Sequence, residues 1–307
     1  MQTLTTRVLR ELALAPGAGP AHLSAASGLV RAGPWLYVVA DDELGLGAFD
    51  LRSLAPGRLR RLAPAHVPAL PEAHRARKAL KPDTEALLHW PALPGCPHGA
   101  LLALGSGSRP NRQMGALWAL DAGGALVDAP RAVDLAPLYA PLRGRFGELN
   151  IEGALIVGDA LLLLQRGHRE VPVNASIHFP AAAVAAWLMG RGEVPAPRVV
   201  VEHALGMLDG VPLGFTDGTL LPGGGWLYSA AAEDTGDAYL DGACTGSVLG
   251  RLDAIGAPAG QWRIDRPCKV EGLALGAEPG ELLMVTDGDD RQQPALLLAA
   301  RLPELTR

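Results

Sequence analysis

The chain has 307 residues, 49% of them hydrophobic, with 27 lysines and arginines against 32 aspartates and glutamates and a formal net charge of −5. That length and apolar content support a large core and exclude a mainly disordered chain; the mild acidity argues against a general nucleic-acid binder. No basic-then-apolar leader opens the sequence and no apolar run approaches the roughly 20 residues of a membrane helix, so the expectation is a cytoplasmic protein with no nucleic-acid or membrane partner.

In chain order, residues 7–14 read as a strand in which Val8 alternates with polar neighbours before the run turns apolar. Residues 27–42 then form an apolar hairpin with a turn at residues 31–34. The same unit recurs four times, opening at Glu85, Glu152, Asp217 and Glu271. Recurrence at this period is the signature of a repeat architecture. After each hairpin comes a third strand-like run: residues 47–51, 116–121, 182–188, 247–253 and 295–301. The run 182–188 is alanine-rich and reads as helix by propensity, but the repeat argues for strand. More polar fourth runs follow at residues 58–62, 131–135, 198–202 and 261–265.

The fifth unit has no room for a fourth strand, and residues 7–14 supply one. The expected fold is all-β: one β-propeller domain over residues 1–307, with five blades of four strands and the N-terminal strand closing the last blade. A sixth blade hidden in the long third unit is the alternative. Outside the repeat, residues 71–80 read as a short helix with a solvated basic face, and residues 135–147 as a loop.

In an antiparallel hairpin the start of the first strand and the end of the second lie at the same end. One rim of the channel should therefore collect Ser27, Glu85, Glu152, Asp217 and Glu271. The second-strand ends should add Asp41, Asp42, Arg109, Arg112, Arg166, His168, Glu233, Asp287 and Asp289. Two readings of the repeated carboxylates stand side by side. In one they accept hydrogen bonds and staple neighbouring blades. In the other they converge on a site, and their mutual repulsion calls for a cation. Oxygen-rich donor sets suit Ca²⁺ or Mg²⁺. On this second reading Glu85, Glu152, Asp217 and Glu271 hold Ca²⁺. Glu152, Arg166 and His168 are the catalytic candidates, and Arg109, Arg112, Asp287 and Asp289 bind substrate.

Other signatures fail. There is no GxGxxG after a strand, no phosphate-binding Walker loop, no HExxH and no serine-centred elbow. Gly242–Gly246 has the elbow spacing around Cys244, but in a blade loop. The cysteines Cys96, Cys244 and Cys268 show no CxxC pair and read as incidental thiols. Only Lys78, Lys81 and Lys269 are lysines; the abundance of arginine, alanine, glycine and proline reads as the codon bias of a GC-rich genome.

The stretch Lys269-Val270-Glu271-Gly272-Leu273-Ala274-Leu275, with Asp287-Gly288-Asp289-Asp290 at the end of the next strand, resembles bacterial propellers related to the phytase esterase-like domain and the SdiA-regulated proteins. Asn150-Ile151-Glu152-Gly153 and Lys81-Pro82-Asp83-Thr84-Glu85-Ala86-Leu87 resemble further copies. The first unit departs with Ser27 in place of the acid, the fourth with Asp217 in place of Glu. The resemblance implies a propeller and a metal-dependent hydrolase of esters, lactones or phosphoesters. The alternative is a non-catalytic propeller that binds a small molecule or a protein on the same rim.

Overall fold

A computed structural model describes residues 1–17, 19–62, 69–234, 243–253 and 256–302. In chain order its elements are β1 (Gln2–Leu4), β2 (Thr6–Glu11), β3 (Ala26–Ala32), β4 (Trp35–Ala40), β5 (Gly45–Asp50), β6 (Arg58–Arg61), α1 (His74–Leu80), β7 (Thr84–Trp90), β8 (Ala100–Gly105), β9 (Met114–Leu120), β10 (Leu126–Asp134), α2 (Ala136–Arg143), β11 (Ile151–Val157), β12 (Ala160–Gln165), β13 (Asn174–Pro180), α3 (Ala181–Leu188), β14 (Val199–His203), β15 (Met207–Leu208), β16 (Val211–Leu220), β17 (Trp226–Asp234), β18 (Ala243–Leu252), β19 (Pro258–Ile264), β20 (Lys269–Leu275), β21 (Glu281–Asp287) and β22 (Leu296–Arg301).

Five sheets make five blades. The first three are β3–β6, β7–β10 and β11–β14, each in consecutive order. The fourth runs β15–β19, and β1 adds to its outer edge in parallel with β19. The fifth is β20–β21–β22, closed by β2. The innermost strands β3, β7, β11, β16 and β20 each pack on the next, and β20 returns to β3. This is a five-bladed β-propeller whose N-terminal strand closes the last blade.

The apolar alternation of the strands explains the assembly. Five apolar clusters fill the spaces between consecutive blades. Trp118 and Val39 lie between the first two blades, Phe215 and Leu164 between the third and fourth. Each fully buried side chain of this kind contributes about 1.5–3 kcal/mol. The apolar clusters therefore supply most of what holds the ring, and the polar groups at its end add ties between particular blades.

Four local readings are corrected. Residues 182–188 lie in α3, because propensity wins where no neighbouring strand is left to pair with; the third strand of that blade is β13, at residues 174–180. Residues 136–143 form α2, which buries Leu138, Tyr139 and Leu142. The Tyr139 hydroxyl donates to the Gly105 carbonyl at 2.8 Å. The basic face of α1 is not wholly solvated. Arg77 is buried, donating from Nε to the Asp42 carbonyl at 2.9 Å and from Nη2 to Glu43 at 2.6 Å. The fourth blade's register places Thr216, not Asp217, at the repeat position, as described next.

Candidate active site at the channel mouth

Every channel-lining strand carries a register slip near its start, where two residues of the inner strand face one of its partner. In β7, β11 and β20 the slip falls on Glu85, Glu152 and Glu271. In β3 it falls within Ser27–Gly28. In β16 it falls on Thr216. A bulge of this kind twists the strand and re-aims one side chain, so the same device turns a polar side chain out of each inner strand. The small residue that follows has its own cause. A Cβ on Gly28 would lie 2.4 Å from the Leu87 nitrogen, and one on Gly272 2.4 Å from the Ser27 carbonyl oxygen. Neighbouring inner strands touch there, backbone to backbone.

Asp217 occupies the glycine's place in the fourth blade. Its Oδ2 accepts the Leu273 N–H at 2.8 Å and its Oδ1 the Gly218 N–H at 2.7 Å. It ties the fourth blade to the fifth. Burial pushes its carboxyl well up, and these amide donors only partly oppose that.

Of the remaining predicted residues, Glu85, Glu152, Arg166, Glu271, Asp287 and Asp289, with Arg112 through Asp83, meet at one end of the channel. Arg166 sits between three blades: its guanidinium lies 3.3 Å from Glu152, 2.7 Å from Glu233 and 3.5 Å from Glu271. Asn150 donates to Glu152 Oε1 at 2.6 Å. Lys269 stands 3.1 Å from Glu271, 3.5 Å from Glu233, 3.6 Å from Asp287 and 3.5 Å from Asp289. Across the mouth, Lys81 pairs with Asp41 and lies 3.1 Å from Asp83. Arg112 is buried and bonds Asp83 at 2.7 Å, so it positions that carboxylate. Arg109 is exposed at the start of the adjoining 3₁₀ turn Pro110–Arg112. His168 lies in the loop after β12, with Nε2 at 3.1 Å from Glu148.

Eight carboxylates (Asp41, Asp83, Glu85, Glu152, Glu233, Glu271, Asp287 and Asp289) thus share the mouth with four cations, Lys81, Arg112, Arg166 and Lys269. The excess has consequences. Burial, reinforced by Glu271 against Arg166, pushes Glu152 up to about 7. Burial pushes Asp41 up to about 6 despite Lys81. Glu85 is pushed well up, by burial first and then by Glu152, Asp83 and Asp41. Burial alone would lower Lys81 and Lys269, but their carboxylate neighbours outweigh it and hold both ammoniums well above their usual range. Both Glu271 oxygens are buried, and Lys269 and Arg166 meet this carboxylate as ion pairs without well-aligned hydrogen bonds.

The two lysines were the signal left unread in the sequence. In a chain with only three, two are buried at the mouth, four residues before Glu85 and two before Glu271. A buried lysine keeps a compact point charge that arginine's fork does not reproduce.

The four carboxylates expected to hold Ca²⁺ do not compose a Ca²⁺ shell. Both Asp217 oxygens already accept backbone amides, and Arg166 faces Glu152 and Glu271. A tighter acidic group, Asp41, Asp83 and Glu85, has ligand oxygens within 4.8 Å of one another, but Lys81 reaches into it. The protein's own ammonium stands where a cation would. Elsewhere, Cys244 is at the start of β18, and Gly242 of the elbow-like motif lies outside the described residues. No helix among the described residues is long and apolar enough to cross a membrane.

The ring and its charged mouth define a β-propeller with a polar site at one end of its channel. Residues 22–302 match a family of unknown function, DUF6929, and the chain belongs to that family. No curated protein matches it. Among solved structures it is similar to the Myxococcus xanthus glutaminyl cyclase, at 11% identity and a TM-score of 0.51 over 98% of this chain and 99% of that one. It is also similar to a luciferin-regenerating enzyme, at 12% identity and a TM-score of 0.45 over 97% and 95%. The likeness to the glutaminyl cyclase carries the propeller fold alone, and the DUF6929 match does not confirm the resemblance to phytase-like or SdiA-regulated propellers.

Proposed function

We infer that the mouth is an acid–base site that hydrolyses a small ester, lactone or phosphoester. The observation that carries this reading is the excess of carboxylates over cations, most of them buried, that all five blades deliver to one end of the channel. Buried ion pairs at best break even against apolar packing, and the apolar clusters already hold the ring. A mouth built only for stability would not need these charges.

The parts have natural roles. Glu152, ionised in part at neutral pH, takes the proton of an attacking water on its carboxylate. Lys81 and Lys269 face the charge that develops on the substrate oxygen, the part a divalent cation plays in metal-dependent hydrolases. Glu85, whose carboxyl burial and its acidic neighbours hold well up, keeps its proton until it gives it to the leaving oxygen as the bond to carbon or phosphorus breaks. The proton then passes from Glu152 to its neighbour Glu85, which resets both. Arg109, exposed on the loop after β8, suits an anionic substrate group. Ca²⁺ is not part of the reading, because its expected ligands are otherwise engaged.

Arg166, which ties three blades together, favours a second reading in which the mouth binds a ligand without turning it over. A screen separates the two. Lactones, aryl esters, phosphoesters and N-terminal glutaminyl peptides are offered to the protein in the presence of EDTA, with melting temperature and product both followed. Hydrolysis that survives EDTA supports the proposal. Stabilisation by a compound without product supports the binding reading.

A further inference from the structure

Two strands outward from the channel, β13 and β14 of the third blade bring three side chains together. Ser176 pairs with Val201, His178 with Val199 and Asn174 with His203. Directly opposed residues share a face, so Ser176, His178 and His203 lie on one side of the sheet. The Nε2 atoms of His178 and His203 each stand 2.8 Å from Ser176 Oγ. A hydroxyl has one proton. It donates to one ring, and the other ring must donate to the hydroxyl oxygen. The His203 ring is held edge-on against Phe215 at 5.6 Å and Trp226 at 5.9 Å, both from the fourth blade. Packing between blades therefore sets its direction.

This cluster is not the machinery of a nucleophilic serine. Ser176 is 1% exposed, so no substrate carbonyl reaches its oxygen. The two rings are half-buried and open on one side. What the geometry offers is two imidazole nitrogens converging on a third donor atom.

We propose that Ser176, His178 and His203 form a binding site for a divalent first-row transition metal that prefers imidazole, with Zn²⁺ as its probe. Imidazole nitrogens bind Zn²⁺ at about 2.0–2.1 Å, and a modest inward turn of the two rings seats the ion beside Ser176 Oγ. Among the described residues, the only group of three or more acidic, cysteine or histidine side chains close enough to share a metal ion is Asp41, Asp83 and Glu85. Solvent completes the shell at the histidines, so the ion is exchangeable, unlike a closed four-ligand structural zinc.

The test is calorimetric titration of the full-length, tag-free protein with ZnCl₂, paired with the absorption spectrum of the Co²⁺ form. One saturable site per chain is expected, with a Co²⁺ spectrum free of thiolate charge transfer. His203→Gln and His178→Gln each weaken binding by at least about tenfold, with wild-type melting temperatures. If His203→Gln loses its seat between Phe215 and Trp226 and unfolds, His178→Gln carries the test alone. Absence of saturable binding overturns the site. So does binding that folded His178→Gln retains in full, which assigns the ion to the cysteines or the mouth.

Discussion

Lys269 and Glu271 stand two residues apart on β20, and the Lys269 ammonium lies 3.1 Å from the Glu271 carboxylate at the channel mouth. The same ammonium serves Glu233 and Asp287. It is the counter-ion for a group of acids drawn from the fourth and fifth blades. Lys269→Met keeps the length of the stem and removes the charge. Leaving buried carboxylates unpaired costs about 3–5 kcal/mol. Urea unfolding at pH 7 should show that loss, and Lys269→Met/Glu271→Gln should recover part of it. A neutral Lys269→Met would mean that water, not the ammonium, carries the compensation.

Stability should fall as pH rises through the neutral range. Burial raises Glu152 from 4.5 to about 7 and Asp41 from 3.8 to about 6. A carboxyl raised on folding binds its proton more tightly in the folded state, so its contribution is complete below its unfolded value and is lost as pH climbs through the folded one. For Glu152 the window is about pH 4.5 to 7, and the loss is on the order of 3 kcal/mol. Asp83 acts in the opposite sense: its carboxyl is lowered because Lys81 and Arg112 outweigh burial. Melting temperatures from pH 5 to 8 should decline, and Glu152→Gln should flatten the slope. A rise with pH over that range would contradict the burial of these charges.

The N-terminal segment latches two blades. β1 adds to the fourth blade and β2 completes the fifth. Between them Thr6 donates from its hydroxyl to Asp265 at 2.6 Å and from its N–H at 3.1 Å, while Arg266 donates to the Thr6 hydroxyl at 2.9 Å. Deleting residues 2–5 should lower the melting temperature yet leave a folded ring, because the fourth blade keeps its other strands. Deleting residues 2–12 should abolish cooperative unfolding, because the last blade loses its outer strand, the one that joins the start of the chain to its end, and the apolar edge of β22 is left uncovered. Circular dichroism melts distinguish the two.

The hairpin repeat made the propeller legible, because buried strands alternate with turns at a regular period and residues 7–14 had no partner except the last blade. The misreadings have local causes. The alanine-rich run of α3 takes the repeat's third place in the sequence pattern against its own propensity, while β13, with Asn174, Ser176 and His178, carries too many polar residues to stand out as an apolar run. Asp217 looked like a fourth copy of the repeated acid, because a bulge is one residue wide and invisible in an ungapped comparison. The mouth was legible as a collection of acids at one rim. Arg112 and Arg166 were legible with them; Lys81 and Lys269 were not, because they read as ordinary charges until the ring placed them inside it.

The most direct measurement is the hydrolysis rate of Glu85→Gln beside its melting temperature, in one preparation and on the best substrate of the screen. Gln keeps the shape of the protonated Glu85 carboxyl and adds no charge beside Glu152 and Asp83, so the fold should stay as stable. Loss of the general acid should cut the rate by about 10²–10⁴-fold. A Glu85→Gln protein that turns over substrate at the wild-type rate would contradict the acid–base account of the mouth.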